Sequence, residues 1–175
     1  MPIAASVATP SIAQQLLAEF EAQAPITRRF LASLPSDKLT WRPHPRSMTA
    51  GQLALHLASV PGGIALAALN TRNPAPDFNH RQPASIQEVL DAFEQSILTV
   101  REQLPTFDDA AMQTAWTVVS GEQVVLSMPR EQVFRQIMLN HWYQHRGQFS
   151  VYLRLLDRPV PASWGPSADE NPFAR

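Results

Sequence analysis

Near the C-terminus, Val133, Phe134, Ile137, Met138, His141, His145, Phe149, Tyr152 and Leu156 recur at helical spacing. A stripe of this length commits 129–156 to an amphipathic helix that must bury one face, and Pro129 suits its first turn. Two members of the stripe are histidines four residues apart, inside Asn140-His141-Trp142-Tyr143-Gln144-His145-Arg146-Gly147-Gln148. Residues i and i+4 lie one turn apart on one helix face, so both imidazoles can share one metal ion if a third ligand arrives from elsewhere. A lone histidine on an apolar face is usually a hydrogen-bonded core residue. A pair on one face is harder to satisfy that way, because each buried ring nitrogen needs a partner. A metal on one nitrogen and a hydrogen bond on the other would serve both. The run is not the metalloprotease motif, which needs Glu directly after the first His, where this chain has Trp142.

Three more helices are legible. Ile12, Leu16, Phe20, Ala24, Thr27, Leu31 and Leu34 predict one over 11–34, capped by Thr9 or Ser11, with Pro25 expected to kink it and Pro35 at its end. Leu53, His56, Leu57, Val60 and Ile64 predict a second over 48–69, capped by Ser47 or Thr49 and bent or broken at Pro61-Gly62-Gly63. Ile86, Val89, Leu90, Phe93, Ile97, Val100 and Leu104 predict a third over 86–104. Ser85 and Glu88 form a capping-box pattern at its start, and Pro105 ends it. Between them, 36–46 and 70–83 read as polar, proline-bearing connections. Val118, Val119, Val124, Val125 and Leu126 around Ser120-Gly121-Glu122 predict a short β-hairpin between helices three and four. The tail 157–175 holds Pro159, Pro161, Pro166 and Pro172, so it is no long helix; Trp164 and Phe173 predict that it packs on the body. The expected architecture is all-α, a four-helix bundle with long crossover connections, in a single domain over 1–175.

Composition narrows the function. A net charge of −1 gives no electrostatic case for nucleic acid or an anionic membrane. The absence of cysteine excludes disulfides, thiolate ligands and a cysteine nucleophile. Met1 to Pro10 lacks the basic region and apolar run of a signal peptide, and no uninterrupted apolar stretch approaches the ~20 residues of a membrane span. A soluble cytoplasmic protein is the expectation.

The chain has five histidines. His56, His141 and His145 fall on inward stripes, whereas His44 and His80 lie in proline-bearing connections and read as exposed surface residues. Three neutral imidazoles suit zinc or nickel, and a site with open positions is the mark of catalysis, since structural zinc sites close with four protein ligands. Gly147 in mid-helix suggests close approach by another helix. Gln148, one turn beyond His145, is a candidate to orient a ligand. Arg146 is a candidate to hold a carboxylate substrate, or to pair with an acidic tail residue such as Asp169.

Together these residues resemble the DinB superfamily, the DinB/YfiT-like metalloenzymes. His56, the run His141-x3-His145-Arg146-Gly147-Gln148, Tyr152-Leu153-Arg154, Trp41-Arg42-Pro43 and the ending Trp164-Gly165-Pro166-Ser167-Ala168-Asp169-Glu170 carry the likeness over about Ser11 to Glu170. The resemblance implies a bundle of up-down-down-up topology, a divalent metal on His56, His141 and His145, and a homodimer. Members with assigned activities are mostly thiol-dependent S-transferases or isomerases, so it also implies a low-molecular-weight thiol as co-substrate. The leading expectation is a metal-dependent transferase acting on a small-molecule substrate. A metal-dependent hydrolase, a non-catalytic metal- or ligand-binding stress-response protein, and a bundle whose histidines merely bond each other are the alternatives. The apolar, proline-rich tail could cover a partner and thus also points to self-association.

Overall fold

The computed structural model describes residues 9–174; the N-terminal reading over 1–8 lies outside the described residues. The chain is mostly helical, with a small three-stranded sheet. Helix α1 spans Ile12–Ala32 and opens on a capping box. There the Ser11 hydroxyl accepts from the Gln14 N–H at 3.2 Å, and the Ser11 N–H donates to Gln14 Oε1 at 2.8 Å. Helix α1 continues through Pro25 to bury Leu16, Phe20, Ala24 and Leu31. Helix α2 spans Ala50–Ala67 and opens on a second box between Thr49 and Gln52. By length and composition α2 could cross a membrane, yet over half of it is buried against the other helices.

Pro61-Gly62-Gly63 does not break α2, contrary to expectation. Proline at 61 disturbs the local ladder, but the Gly62 N–H is satisfied from outside, by Ser96 Oγ at 2.7 Å. The glycine is required there, because a Cβ would stand 2.9 Å from Ser96 Cα. Ser96 belongs to α3 (Ile86–Gln103), which buries Val89, Phe93, Ile97 and Val100. Its expected capping box forms only in half. Ser85 Oγ accepts from the Glu88 N–H at 3.1 Å, but the Glu88 carboxylate accepts from the Ala84 N–H instead, at 2.7 Å.

After a short helix α4 (Asp109–Gln113), the expected hairpin appears as β2 (Ala115–Ser120) and β3 (Gln123–Pro129), antiparallel and joined by a turn with Gly121 at φ 60°. An unexpected strand, β1 (Arg72–Pro74), pairs parallel with β2 inside what reads as a polar loop. Three residues are too few for a periodic signal, and Pro74 is tolerated because β1 is an edge strand. Trp116 and Val118 of β2 pack with Val133 as a small second cluster beside the main core.

The last long helical segment departs from uniform α geometry. It runs as α5 (Arg130–Gln132), a π-helical stretch (Val133–Asn140) and α6 (His141–Leu155). Phe134 and Leu139, five residues apart, are both buried, as the wider π turn allows. Beyond it the buried stripe of α6 is Trp142, Arg146, Phe149 and Leu153. His141 and His145, which the spacing places inside the apolar stripe, stand half-buried at the edge of the observed one. Trp142 takes the central place: its indole N–H donates to the Leu57 carbonyl at 2.9 Å, and its ring packs 5.2 Å from Phe20 and 6.2 Å from Phe93.

The four long segments share one core, and α1 touches α3, α3 touches α2, α2 touches α6 and α6 touches α1. The tail is tied to the body by its carboxylates, while Trp164 and Phe173, the residues expected to pack it, stay largely exposed. Asp169 accepts from Arg154 and from the Val160 N–H at 2.8 Å, and Glu170 accepts from Arg29 and from the Ala162 N–H at 2.9 Å.

Candidate metal centre

The cyclic contact of α2 with α6 brings His56 against His141 and His145. His56 Nε2 lies 3.4 Å from His141 Nε2, which lies 2.5 Å from His145 Nε2. All three nitrogens fall within 4.8 Å of one another, close enough to hold one metal ion. The donor set fits that role. Burial lowers the pKa of His56 to about 4, helped by the like charges of His145 and His141. Burial also lowers the pKa of His141 and of His145, with the neighbouring imidazole adding to it at His141. The rings are therefore neutral at pH 7, with lone pairs free for a cation. The Gln148 Oε1 sits 2.7 Å from His145 Nδ1. As an acceptor it places the ring proton on Nδ1, which turns the bare Nε2 toward the other two histidines.

His56 and His141 line a cavity of about 670 Å³ whose wall also includes Gln52, Ile64, Phe78, His80 and Ile137; His145 is not among its lining residues. His80 corrects the sequence reading. It is half-buried, with its ring edge-on to His56 at 5.1 Å between centroids. It lies outside the set of three convergent nitrogens but inside the same cavity. No periodicity marks it; the segment is tied down by side chains from the start of α2. The Gln52 amide donates to the His80 carbonyl at 2.8 Å while its oxygen accepts from the Thr49 N–H at 2.9 Å. Thr49 Oγ1 in turn donates to Gln82 Oε1 at 2.6 Å. Thr49 was one of two caps the sequence offered; its partner Gln52, and the use of that pair to anchor the loop, were not visible. His44 is exposed, as expected, and takes no part.

Arg146 is elsewhere. It is 2 % exposed and donates to Gln23 Oε1 at 2.8 Å and Thr27 Oγ1 at 3.2 Å on α1. Its guanidinium also lies 5.3 Å from the Tyr143 ring centroid, in cation–π range. It lines no part of the histidine cavity and does not reach Asp169, which Arg154 holds at 2.5 Å. The buried arginine joins α6 to α1. Gly147 is likewise not a point of helix contact, since a Cβ there would meet nothing within 4 Å.

Comparison with known proteins identifies the fold and the family. The chain is 28 % identical over 153 residues to the uncharacterized protein YrdA of Bacillus subtilis (strain 168), an alignment covering 87 % of this chain and 86 % of that one. Its fold is similar to the crystal structure of a DinB-like protein from Bacillus cereus, with TM-score 0.66 and 21 % identity, covering 85 % of this chain and 95 % of that one. It is also similar to the DinB-like protein YjoA from Bacillus subtilis, with TM-score 0.64 and 14 % identity, covering 86 % and 96 %. The DinB superfamily profile matches residues 19–149, most of the described chain, and the protein belongs to the DinB superfamily.

Proposed function

We propose that this protein is a divalent-metal-dependent enzyme, with zinc or nickel on His56, His141 and His145, that transfers an external low-molecular-weight thiol to a small electrophile. The observation that carries the reading is the convergence of three Nε2 atoms beside a cavity large enough for a small substrate, with His56 and His141 on its wall. When bound, a divalent ion supplies Lewis acidity, which favours the deprotonated form of a ligating thiol or water. The chain's own groups prepare the place: burial keeps the three imidazoles unprotonated, and Gln148 fixes the tautomer of His145. The chain offers no thiol of its own, no Gly-x-Ser-x-Gly elbow and no Glu beside the histidine pair, so the nucleophile comes from outside. With an epoxide, the S–C bond forms as the ring C–O bond breaks, and the thiol proton ends on the opened oxygen.

The choice of thiol over water follows the activities that the family resemblance implies. The same reading takes 1–175 as one domain and the helices as an up-down-down-up bundle; the cyclic order α1–α3–α2–α6 supports that topology. The test is to incubate metal-loaded protein with an epoxide or haloarene, with and without low-molecular-weight thiols. The expected result is product that requires both metal and thiol and disappears in His56→Ala. Turnover without thiol would make the protein a hydrolase. No turnover with any thiol, across several metals, would make it a binding protein.

A further inference from the structure

Beside the metal cavity lies a second hollow of about 510 Å³, bounded by Ile64 and Ala67 of α2 and by Trp116, Val118 and Val125 of the hairpin. The two hollows share Ile64, Pro76, Phe78 and Ile137, so they adjoin, with imidazoles on the far wall of the first. The second hollow is apolar. Its one polar side chain among the described residues, besides the Trp116 indole, is Asn73. In the amide orientation that satisfies both neighbours, Asn73 accepts from the indole N–H at 2.8 Å and donates to the Ala67 carbonyl at 3.1 Å. The two polar side chains of the wall are thus occupied with each other and with the Ala67 carbonyl. The hairpin is also shaped for this hollow. Val118 pairs with Leu126 and Val119 with Val124, which leaves Val125 as the extra, bulged residue with its side chain on the hollow. A bulge re-aims a side chain in this way.

We propose that this apolar annex binds an alkyl or aryl arm of a small molecule whose polar head faces the histidines. The occupant is a hydrocarbon arm, because the side chains that line this wall offer a polar ligand no free hydrogen-bonding group. The statement about the head rests on the metal-centre reading above; the statement about the arm does not.

The test uses two probe series on the full chain. The zinc-loaded protein is titrated with straight-chain hydroxamates from acetohydroxamate to octanohydroxamate, and the metal-free protein with the matching n-alkanols. Each added methylene should tighten binding by up to about fourfold in both series, the ratio expected for one buried CH₂. Two variants remove the dependence from different sides. Val125→Asp puts a carboxylate at the mouth, at a side chain already 52 % exposed, and Ala75→Trp fills the hollow from its exposed rim. Both should flatten the series and leave acetohydroxamate affinity unchanged. A flat series in the natural chain, or a steep one in both variants, would overturn the annex. So would a loss of slope in Val125→Asp that tracks a changed mass in light scattering, since the face would then cover a second copy. If acetohydroxamate fails to bind while the alkanol slope persists, the annex stands and the metal centre falls.

Discussion

At the scale of single residues, the centre depends on keeping three imidazoles neutral and aimed. Because burial lowers all three pKa values, protons compete weakly near neutrality. Metal affinity should therefore vary little between pH 8 and about pH 6.5, the ordinary histidine value. Below that it should fall ever more steeply, toward three protons per ion, as the pH approaches the value of about 4 for His56. The sign follows from the direction of the shift, since each lowered pKa delays protonation on acidification. Competition titrations against a chelator across this range give the profile. Gln148→Ala removes the acceptor on His145 Nδ1 and should weaken metal binding roughly 10-fold, with little change in stability, because the residue is exposed. An affinity unchanged in Gln148→Ala would mean that the tautomer of His145 is set by something else.

At the scale of elements, two glycines that look alike in sequence differ in packing. Gly62→Ala must push its Cβ against the Ser96 backbone and should destabilise by roughly 1–3 kcal/mol. Gly147→Ala meets only solvent and should stabilise by roughly 0.5–1 kcal/mol through the lost chain entropy of glycine in mid-helix. Chemical denaturation of the two variants should therefore move in opposite directions. The helices themselves were legible. Caps at Ser11, Thr49 and Ser85 and the apolar stripes place all four long segments within two residues of their ends, 11–34 against Ile12–Ala32 being a typical case. The register of the last helix was not, because a π turn shifts the phase of everything after it and depends on tertiary packing that a periodic reading assumes away. Trp142 fills the core where the spacing had put the histidines. The histidine trio was legible because polar rings at inward-leaning positions are conspicuous. His80 and β1 were not, since their placement comes from long-range bonds to Gln52 and Thr71–Ala75 pairing with β2.

At the scale of the whole molecule, the centre is a clamp between α2 and the last helix, which are distant in sequence and adjacent in space. We propose that the chain also self-associates as a dimer. Trp164 and Phe173 in the tail remain largely exposed although 157–170 is bonded to the body. Light scattering should give a mass near twice 19.5 kDa at micromolar protein, and a monomer mass would reject the dimer. An ion held by both helices binds the folded chain and not the unfolded one, so it should also raise the unfolding temperature, and do so with the logarithm of free ion concentration above its dissociation constant. The decisive measurement is the stoichiometry of zinc binding, by calorimetry on untagged protein, in the natural chain and in single alanine variants of the five histidines. One ion per chain, kept in His44→Ala and His80→Ala and lost in His56→Ala, His141→Ala and His145→Ala, is the predicted result. Binding that survives His56→Ala, or that is lost in His44→Ala, would contradict the three-histidine centre.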